Sequence, residues 1–410
     1  LSALGTVRGS LVAVDDVLEA LADLGRAARS RSQARIAAVT GSVGKTSTKE
    51  TLARALAGEG PVHYSPASFN NHWGVPLTLA RMPADSRFAV FEIGMNHPGE
   101  ITPLVKMVRP HVAIVTTVEA VHLEFFRDVA EIARAKAEIF LGVEPDGAAV
   151  INRDNPHYEL LADAARAAGI AHVVGFGENR EAEARLEVVK LKPECSCVSA
   201  NILGEEIAFT LGAPGRHLVQ NSLAVLAAVI LLGGDMAKAA LALAAMPAPM
   251  GRGARFALKV KGGSATLIDE SYNANPASMR AAIALLGQAM PQPRGRRIAI
   301  LGDMRELGAE APALHAGLAQ PLAEAQVDLV YLAGPLMQSL WDALPPDVRG
   351  AHAASAADLL PALYETIGIG DVIMVKGSNA SRMGPLAEAI RTRFAPAPGP
   401  AEQRQGQEIA

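Results

Sequence analysis

Short, nearly continuous apolar runs alternate along this chain with longer stretches in which apolar residues return every three or four positions. The runs at 36–39, 88–93, 112–116, 148–151 and 172–175 read as strands buried on both faces. Sequence of helical period separates several of them, as at 45–57, which ends on Gly58. This rhythm predicts βαβ units around a largely parallel sheet. Residues 183–211 break it. Alternating runs such as Leu186-Glu187-Val188-Val189 and Ile207-Ala208-Phe209-Thr210 flank Gly204-Glu205 and predict a small antiparallel patch, followed by a helix over 218–232. The segment Met246-Pro247-Ala248-Pro249-Met250-Gly251 is rich in Pro and Gly and has no period, which marks a domain boundary. A second α/β series follows, with strands expected at 266–269, 297–301, 329–332 and 372–375.

The ends differ from the middle. Residues 1–34 hold a short strand (10–14) and a helix (16–31), too little for an independent domain. From Pro396 the chain is rich in Pro, Gly and Gln and is expected to be disordered. The expected division is 1–34 as the remnant of an N-terminal domain and linker, 35–247 as a central domain, 248–395 as a second domain and 396–410 as a tail.

Composition narrows the function classes. Of 410 residues half are hydrophobic and a fifth charged, which fits two or three globular domains. A net charge of -4 gives no reason to expect a nucleic-acid partner or an anionic membrane surface. The apolar stretch 222–233 is too short to span a bilayer and reads as a buried helix, so no membrane insertion is expected. The two cysteines, Cys195 and Cys197, are spaced for alternate positions on one strand face, not for a metal quartet, and their scarcity fits a reducing cytoplasm. The sequence starts at Leu1 with no signal-peptide pattern, and reads as a chain whose N-terminal part is missing.

The most specific chemistry lies in Ala38-Val39-Thr40-Gly41-Ser42-Val43-Gly44-Lys45-Thr46-Ser47. A Gly-rich turn between strand and helix aims backbone N–H groups at an anion. Lys45 can then reach outer phosphates and Thr46 can ligate magnesium, which predicts a nucleoside triphosphate site. Val39 stands where the ordinary P-loop has its first glycine, so this is a shorter form.

Other unusual polar residues also follow strands, the edge at which open α/β sheets bind ligands. They are Glu92, Thr116-Thr117 with His122, and Asn152 to Asn155 in the first series, then Asp269 to Tyr272, Asp303 with Glu306, and Lys376 to Ser378 in the second. With Thr40-Gly41 after the first strand these make seven such places, which predict two facing sites or one site between the domains. Glu92 sits among Val90, Phe91 and Ile93, where a carboxylate needs a partner or a metal. Lys136 falls on the apolar stripe Val129, Ile132, Ala133, Ile139, Phe140, Val143 of a helix whose start, Asp128 and Glu131, is spaced as a capping box. A buried lysine loses its charge or finds a partner, and a neutral amine near a metal can take up carbon dioxide as a carbamate. His217 and Asn221 share one face of an otherwise apolar helix.

These residues occur in stretches that resemble the Mur ligases, the ATP-dependent amide-forming enzymes of peptidoglycan synthesis. The stretches are Thr40 to Glu50, Ser68-Phe69-Asn70-Asn71-His72-Trp73-Gly74, Glu92-Ile93-Gly94-Met95-Asn96, His122-Leu123-Glu124, Ala135-Lys136-Ala137-Glu138 and Gly215-Arg216-His217 with Asn221. The second domain adds Ser271-Tyr272-Asn273-Ala274-Asn275-Pro276, Gly302-Asp303-Met304-Arg305-Glu306-Leu307-Gly308 and Val375-Lys376-Gly377-Ser378. The short P-loop is the family's own form.

The resemblance implies a central P-loop domain and a Rossmann-like C-terminal α/β domain, with the family's N-terminal UDP-binding domain largely absent. It implies that Gly41, Ser42, Val43, Gly44, Lys45, Thr46 and Ser47 bind the triphosphate of ATP. Thr46, Glu92 and His122 would hold magnesium, and Lys136, carbamylated, would support a second magnesium ion. Asn221 would contact the adenine end, and Arg252 the γ-phosphate. Glu270, Tyr272, Asn273 and Asn275 would complete the nucleotide or acceptor site, and Asn70, Asn71, Asp303, Lys376 and Ser378 would contact substrates. The substrates implied are a UDP-N-acetylmuramoyl-tripeptide and D-alanyl-D-alanine, joined through an acyl phosphate by a monomeric enzyme. Two other readings are a folate-glutamate ligase of the same superfamily and a nucleotide-binding switch. The Asn70-Asn71 and Ser271 to Pro276 stretches speak against the first, and the second-domain cluster with Lys136 against the second.

Overall fold

The apolar runs form the centre of a nine-stranded sheet in a computed structural model that describes residues 12–121, 123–246 and 250–395. Its strands are β1 (Arg35–Thr40), β2 (Val62–Tyr64), β3 (Phe88–Glu92), β4 (Val112–Val115), β5 (Ala148–Asn152), β6 (His172–Gly177), β7 (Ala184–Leu191), β8 (Ser196–Ile202) and β9 (Glu205–Leu211). They lie in the order β2-β3-β1-β4-β5-β6-β7-β8-β9. The pairs from β2 through β7 are parallel, and β7-β8-β9 is the expected antiparallel patch.

Alternate residues of β1 feed two cores, because successive side chains on a strand point to opposite faces. Ala37 and Val39 pack with Leu52 and Leu223, whereas Ile36 and Ala38 pack with Val75 and Leu104. The helices are α1 (Val17–Arg31), α2 (Lys45–Leu56), α3 (Gly74–Ala80), α4 (Ile101–Val108), α5 (Val129–Ala137), α6 (Tyr158–Ala167), α7 (Arg216–Leu231) and α8 (Met236–Ala244). Helix α7 is buried continuously from Ser222 through Val229, in keeping with its unpatterned apolar sequence.

The second sheet contains β10 (Ala254–Val260), β11 (Gly263–Glu270), β12 (Arg297–Gly302), β13 (Leu329–Ala333), β14 (Arg349–Ala353) and β15 (Val372–Lys376). Their order is β10-β11-β15-β12-β13-β14, and only β10-β11 is antiparallel. Helix α9 (Pro276–Gln288) follows β11 and is capped by Asn275.

The differences from expectation have local causes. Strands β2, β10 and β14 were not foreseen. β2 has three residues, β10 carries exposed Ala257 and Lys259, and β14 (Arg-Gly-Ala-His-Ala) has no apolar run. All three lie at sheet edges, where one flank needs no apolar cover. Strand β8 begins at Ser196, so Cys195 precedes it and does not share a strand face with Cys197. Helix α2 ends in a 3-10 turn over Ala57–Glu59, and the positive φ of 151° comes at Gly60, not at Gly58. The capping box of α5 is displaced by one residue. Asp128 accepts from Glu131 N at 2.7 Å, but the Glu131 carboxylate accepts from Arg127 N.

Residues 12–14 form no strand, and the rest of the strand expected over 10–14 lies outside the described residues. Helix α1 docks on the first sheet's layer. Arg29 donates to Val108 O and Arg109 O and pairs with Glu144 at 3.0 Å. The boundary residues 247–249, the tail 396–410 and His122 also lie outside the described residues. Among the described residues no helix is long and apolar enough to cross a membrane.

Candidate active site

The P-loop is built by β1 and braced by β4. Gly41 (φ 146°) and Gly44 (φ 86°) both need the left-handed region. A Cβ on Gly41 would collide with Thr116 Oγ1, and one on Gly44 would come within 2.6 Å of Asn221 Nδ2. Thr116 Oγ1 donates to Val43 O at 2.5 Å, and Ser42 N donates to Thr117 O at 2.8 Å. Val39, by contrast, is a fully buried core residue of β1, so the chain turns only after Thr40 and needs no glycine before Gly41. Lys45 Nζ arches back to donate to Gly41 O at 2.7 Å. Burial lowers its pKa first of all, Glu92 opposes that shift, and Arg252 adds to it. Lys45, Glu92 and Arg252 all line one cavity.

Thr46, in the first turn of α2, donates to Glu92 Oε2 at 2.7 Å, and Asn70 Nδ2 donates to Glu92 Oε1 at 2.7 Å. Glu92 is 2 % exposed. A hydroxyl and a buried carboxylate side by side are hard oxygen donors of the kind magnesium takes. Their donor chemistry fits the ion, with His122 outside the described residues. Lys49, one turn further along α2, is fully buried, donates to Ser65 O (2.9 Å) and Ala67 O (3.0 Å), and lies 3.9 Å from Glu92 Oε2.

The opposite wall comes from the second sheet. A cleft of about 500 Å³ is lined from the first unit by the P-loop, Glu92, His217 and Asn221, and from the second by Arg252, Glu270, Tyr272, Asn273, Asn275 and Lys376. The expectation of one site between the domains describes this arrangement. Lys376 is 3 % exposed, donates to Asn273 O at 2.9 Å and pairs with Glu270 Oε2 at 3.5 Å. Burial lowers its pKa, with Glu270 opposing. Burial also lowers that of His217, again against Glu270. The Arg252 guanidinium lies 4.1 Å over the Tyr272 ring.

Lys136 is not on the wall of this cleft. It is 2 % exposed within α5, and among the described residues its ammonium has no hydrogen bond or ion pair. Burial holds its pKa well below the lysine range, and the nearby charge of Lys45 lowers it further. That combination suits a neutral amine, and a carbamate there would set an anion beside Lys45.

Some expected ligand residues do other work. Asn71 accepts from Trp73 N and Gly74 N and starts α3, and it does not line the cleft. Asn275 lines the cleft, yet its side chain accepts from Ser278 N to cap α9. Asp303 lines a separate cavity of about 340 Å³ with Arg305 and Arg382. It is 1 % exposed, and its Oδ2 has no hydrogen-bond partner but lies 3.6 Å from Arg305. Burial raises its pKa. Ser378 bonds to Ser381 Oγ and its N–H to Asp303 O, so it belongs beside that cavity.

Three residues were missed. Lys49 reads in sequence as an ordinary helix lysine. Its burial depends on the 65–67 turn packing over it. Ser68 lies in no periodic element. Glu119 meets the Ser42 hydroxyl through its backbone O and N–H, which no side-chain pattern in the sequence marks.

Comparison with known proteins agrees with this geometry. The family model for the Mur ligase middle domain matches residues 39–229, and that for the Mur ligase, glutamate ligase domain matches residues 254–379. The UDP-N-acetylmuramoyl-tripeptide–D-alanyl-D-alanine ligase of Rickettsia prowazekii is 32 % identical over 381 residues, covering 93 % of this chain and 83 % of the relative. The crystal structure of MurF from Acinetobacter baumannii superposes with a TM-score of 0.83 at 28 % identity, covering 93 % of this chain and 82 % of that one. MurF ligase from Thermotoga maritima, solved in complex with ADP, gives 0.80 at 25 % identity over 94 % and 87 %. With both domain models matched in order and a relative of this identity spanned over most of its length, the chain belongs to the Mur ligase family.

Proposed function

We propose that this chain is an ATP-dependent ligase that joins D-alanyl-D-alanine to a UDP-N-acetylmuramoyl-tripeptide in peptidoglycan synthesis. The observation that carries the reading is the cleft in which Lys45, Thr46 and Glu92 are lined up with Arg252 from the turn before β10 and with Glu270 and Lys376 of the second sheet. The curated relative of that name and the ADP-bound structural neighbour support it. The working units are 35–247 and 248–395, and the cytoplasm is the compartment.

A carboxylate is a poor acyl donor, so ATP first converts the tripeptide carboxyl to an acyl phosphate, with ADP leaving. The P-loop N–H groups and Lys45 hold the phosphates, and Arg252 offsets charge on the transferring γ-phosphoryl group. Magnesium, held by Thr46 and Glu92 with His122, supplies further charge neutralisation when bound. Lys136 as a carbamate would provide the anionic oxygens for a second ion. Asn221 lies against Gly44, where a nucleotide's base end would rest on α7. The free amine of D-alanyl-D-alanine then attacks the acyl carbon, the acyl C–O bond to phosphate breaks, and the proton that the amine loses departs with the phosphate. Asp303, Arg305 and Arg382 offer both charges that a zwitterionic dipeptide carries. Seating the second domain on the loop excludes water from the acyl phosphate.

The test is phosphate release from ATP with each substrate omitted in turn. Release that requires both the UDP-muramoyl-tripeptide and D-alanyl-D-alanine is expected. Release stimulated by a folate and glutamate would overturn the reading, as would release indifferent to every acceptor.

A further inference from the structure

A run of hydroxyls crosses the cleft. Tyr272 Oη donates to Ser68 Oγ at 2.8 Å, Ser68 Oγ lies 2.9 Å from Thr46 Oγ1, and Thr46 Oγ1 donates to Glu92 Oε2 at 2.7 Å. The last member sets the direction of the protons. Thr46 Oγ1 has one proton and donates it to Glu92 Oε2. Ser68 therefore supplies the proton between itself and Thr46, and Tyr272 supplies the one to Ser68. All three donors point toward Glu92, an arrangement in which each bond polarises the next.

Two further contacts make Ser68 the joint of this run. Lys49 Nζ, fully buried, holds Ser65 O and Ala67 O and so fixes the backbone immediately before Ser68. The Tyr272 ring that makes the cross-domain bond also carries the Arg252 guanidinium 4.1 Å above it. One docking event thus orients a hydroxyl on the loop side and a cation on the phosphate side.

We propose that Ser68 and Tyr272 are positioning residues that couple the seating of the second domain to the orientation of the Thr46 hydroxyl. The proposal rests on Thr46 and Glu92 being the magnesium-side oxygens. Tyr272 fills one lone pair of Ser68 and biases the Ser68 proton toward Thr46. The Thr46 proton is then kept on Glu92, and a Thr46 lone pair stays available for the cation. Without Tyr272, the Ser68 oxygen becomes a competing acceptor for the Thr46 proton, and Arg252 loses its fixed seat over the loop.

The experiment is a double-mutant cycle on binding, not on turnover. Affinity for ADP is measured by calorimetry with and without magnesium for the native chain, Tyr272→Phe, Ser68→Ala and the double variant. Tyr272→Phe keeps the ring beneath Arg252 and removes only the hydroxyl. The ratio of the two affinities, the gain due to magnesium, is expected to fall about fivefold in each single variant, the size of one neutral hydrogen bond. In the double variant it is expected to fall no further than in Ser68→Ala. An unchanged ratio in Tyr272→Phe, or losses that add in the double variant, would overturn the coupling. A native chain whose phosphate release ignores D-alanyl-D-alanine would sink the proposed function while leaving this binding cycle readable.

Discussion

At the scale of single residues, the informative ones are ionisable groups in apolar surroundings. Glu92 and Lys136 stand out in sequence because each interrupts an apolar pattern, and both are 2 % exposed in the fold. Lys136 is the sharper case, since its neighbour Lys45 and its burial both favour the neutral amine. Replacing it with Ala removes the proposed carbamate. Activity should drop by about 10–100-fold or more, the cost of losing a group that supports a metal site. Partial rescue by a short-chain carboxylate such as acetate is the expected signature, read as phosphate release. A Lys136→Ala enzyme as active as the native one would remove the carbamate. Lys49 shows the opposite situation. Nothing in its helical position distinguishes it, and only the turn at residues 65–67 makes it a buried anchor.

At the scale of elements, the P-loop shows how a departure from a pattern follows from geometry. The strand runs on through Val39 and Thr40, both fully buried, and the turn is carried by Gly41 and Gly44 alone. Gly41→Ala would impose a left-handed φ on alanine and drive its Cβ into Thr116, the residue that braces Val43. Such strain costs about 1–3 kcal/mol. ADP affinity should fall more than tenfold by calorimetry as the loop is displaced. Gly58→Ala is the contrasting change, because nothing lies within 4 Å of its added Cβ and its φ is not positive. It should leave ADP affinity unaltered. Equal effects of the two substitutions would show that the loop tolerates a different turn. Elements with strong internal period were legible in sequence, including the antiparallel patch. Edge strands β2, β10 and β14 were not, because their residues meet the requirements of pairing on one flank only.

At the scale of the whole molecule, stability should depend on pH through His111, which ties the start of β4 to β1. Its ring Nδ1 accepts from Ile36 N at 3.0 Å, and its backbone N–H donates to Ile36 O at 2.7 Å. Burial lowers its pKa from 6.5 to about 4, with Arg35 and Arg29 adding to the effect. The ring is neutral in the folded chain, so the unfolded chain binds the extra proton between those values. Stability from this group is complete above pH 6.5 and is lost as pH falls through 4. Between pH 7 and 4.5 the native chain should lose roughly 2 kcal/mol more than His111→Asn, whose amide oxygen can still accept from Ile36. Urea unfolding at the two pH values measures this. Equal losses in the two proteins would remove His111 as the sensitive group.

The same scale separates what was legible in the chain from what was not. Strand and helix alternation, the loop chemistry, and the buried ionisable side chains Glu92 and Lys136 were determined by the sequence itself. They depend on residues within one or two turns of each other, so local period and spacing suffice to reveal them. The tertiary structure alone decided that β1 lies between β3 and β4 and that Ser68 meets Tyr272 across 204 positions of chain. It also decided that Asp303 lines a cavity of its own. Pairing between strands, and which distant side chains share one cavity, are set by which surfaces remain after the cores have packed. No local pattern encodes that outcome.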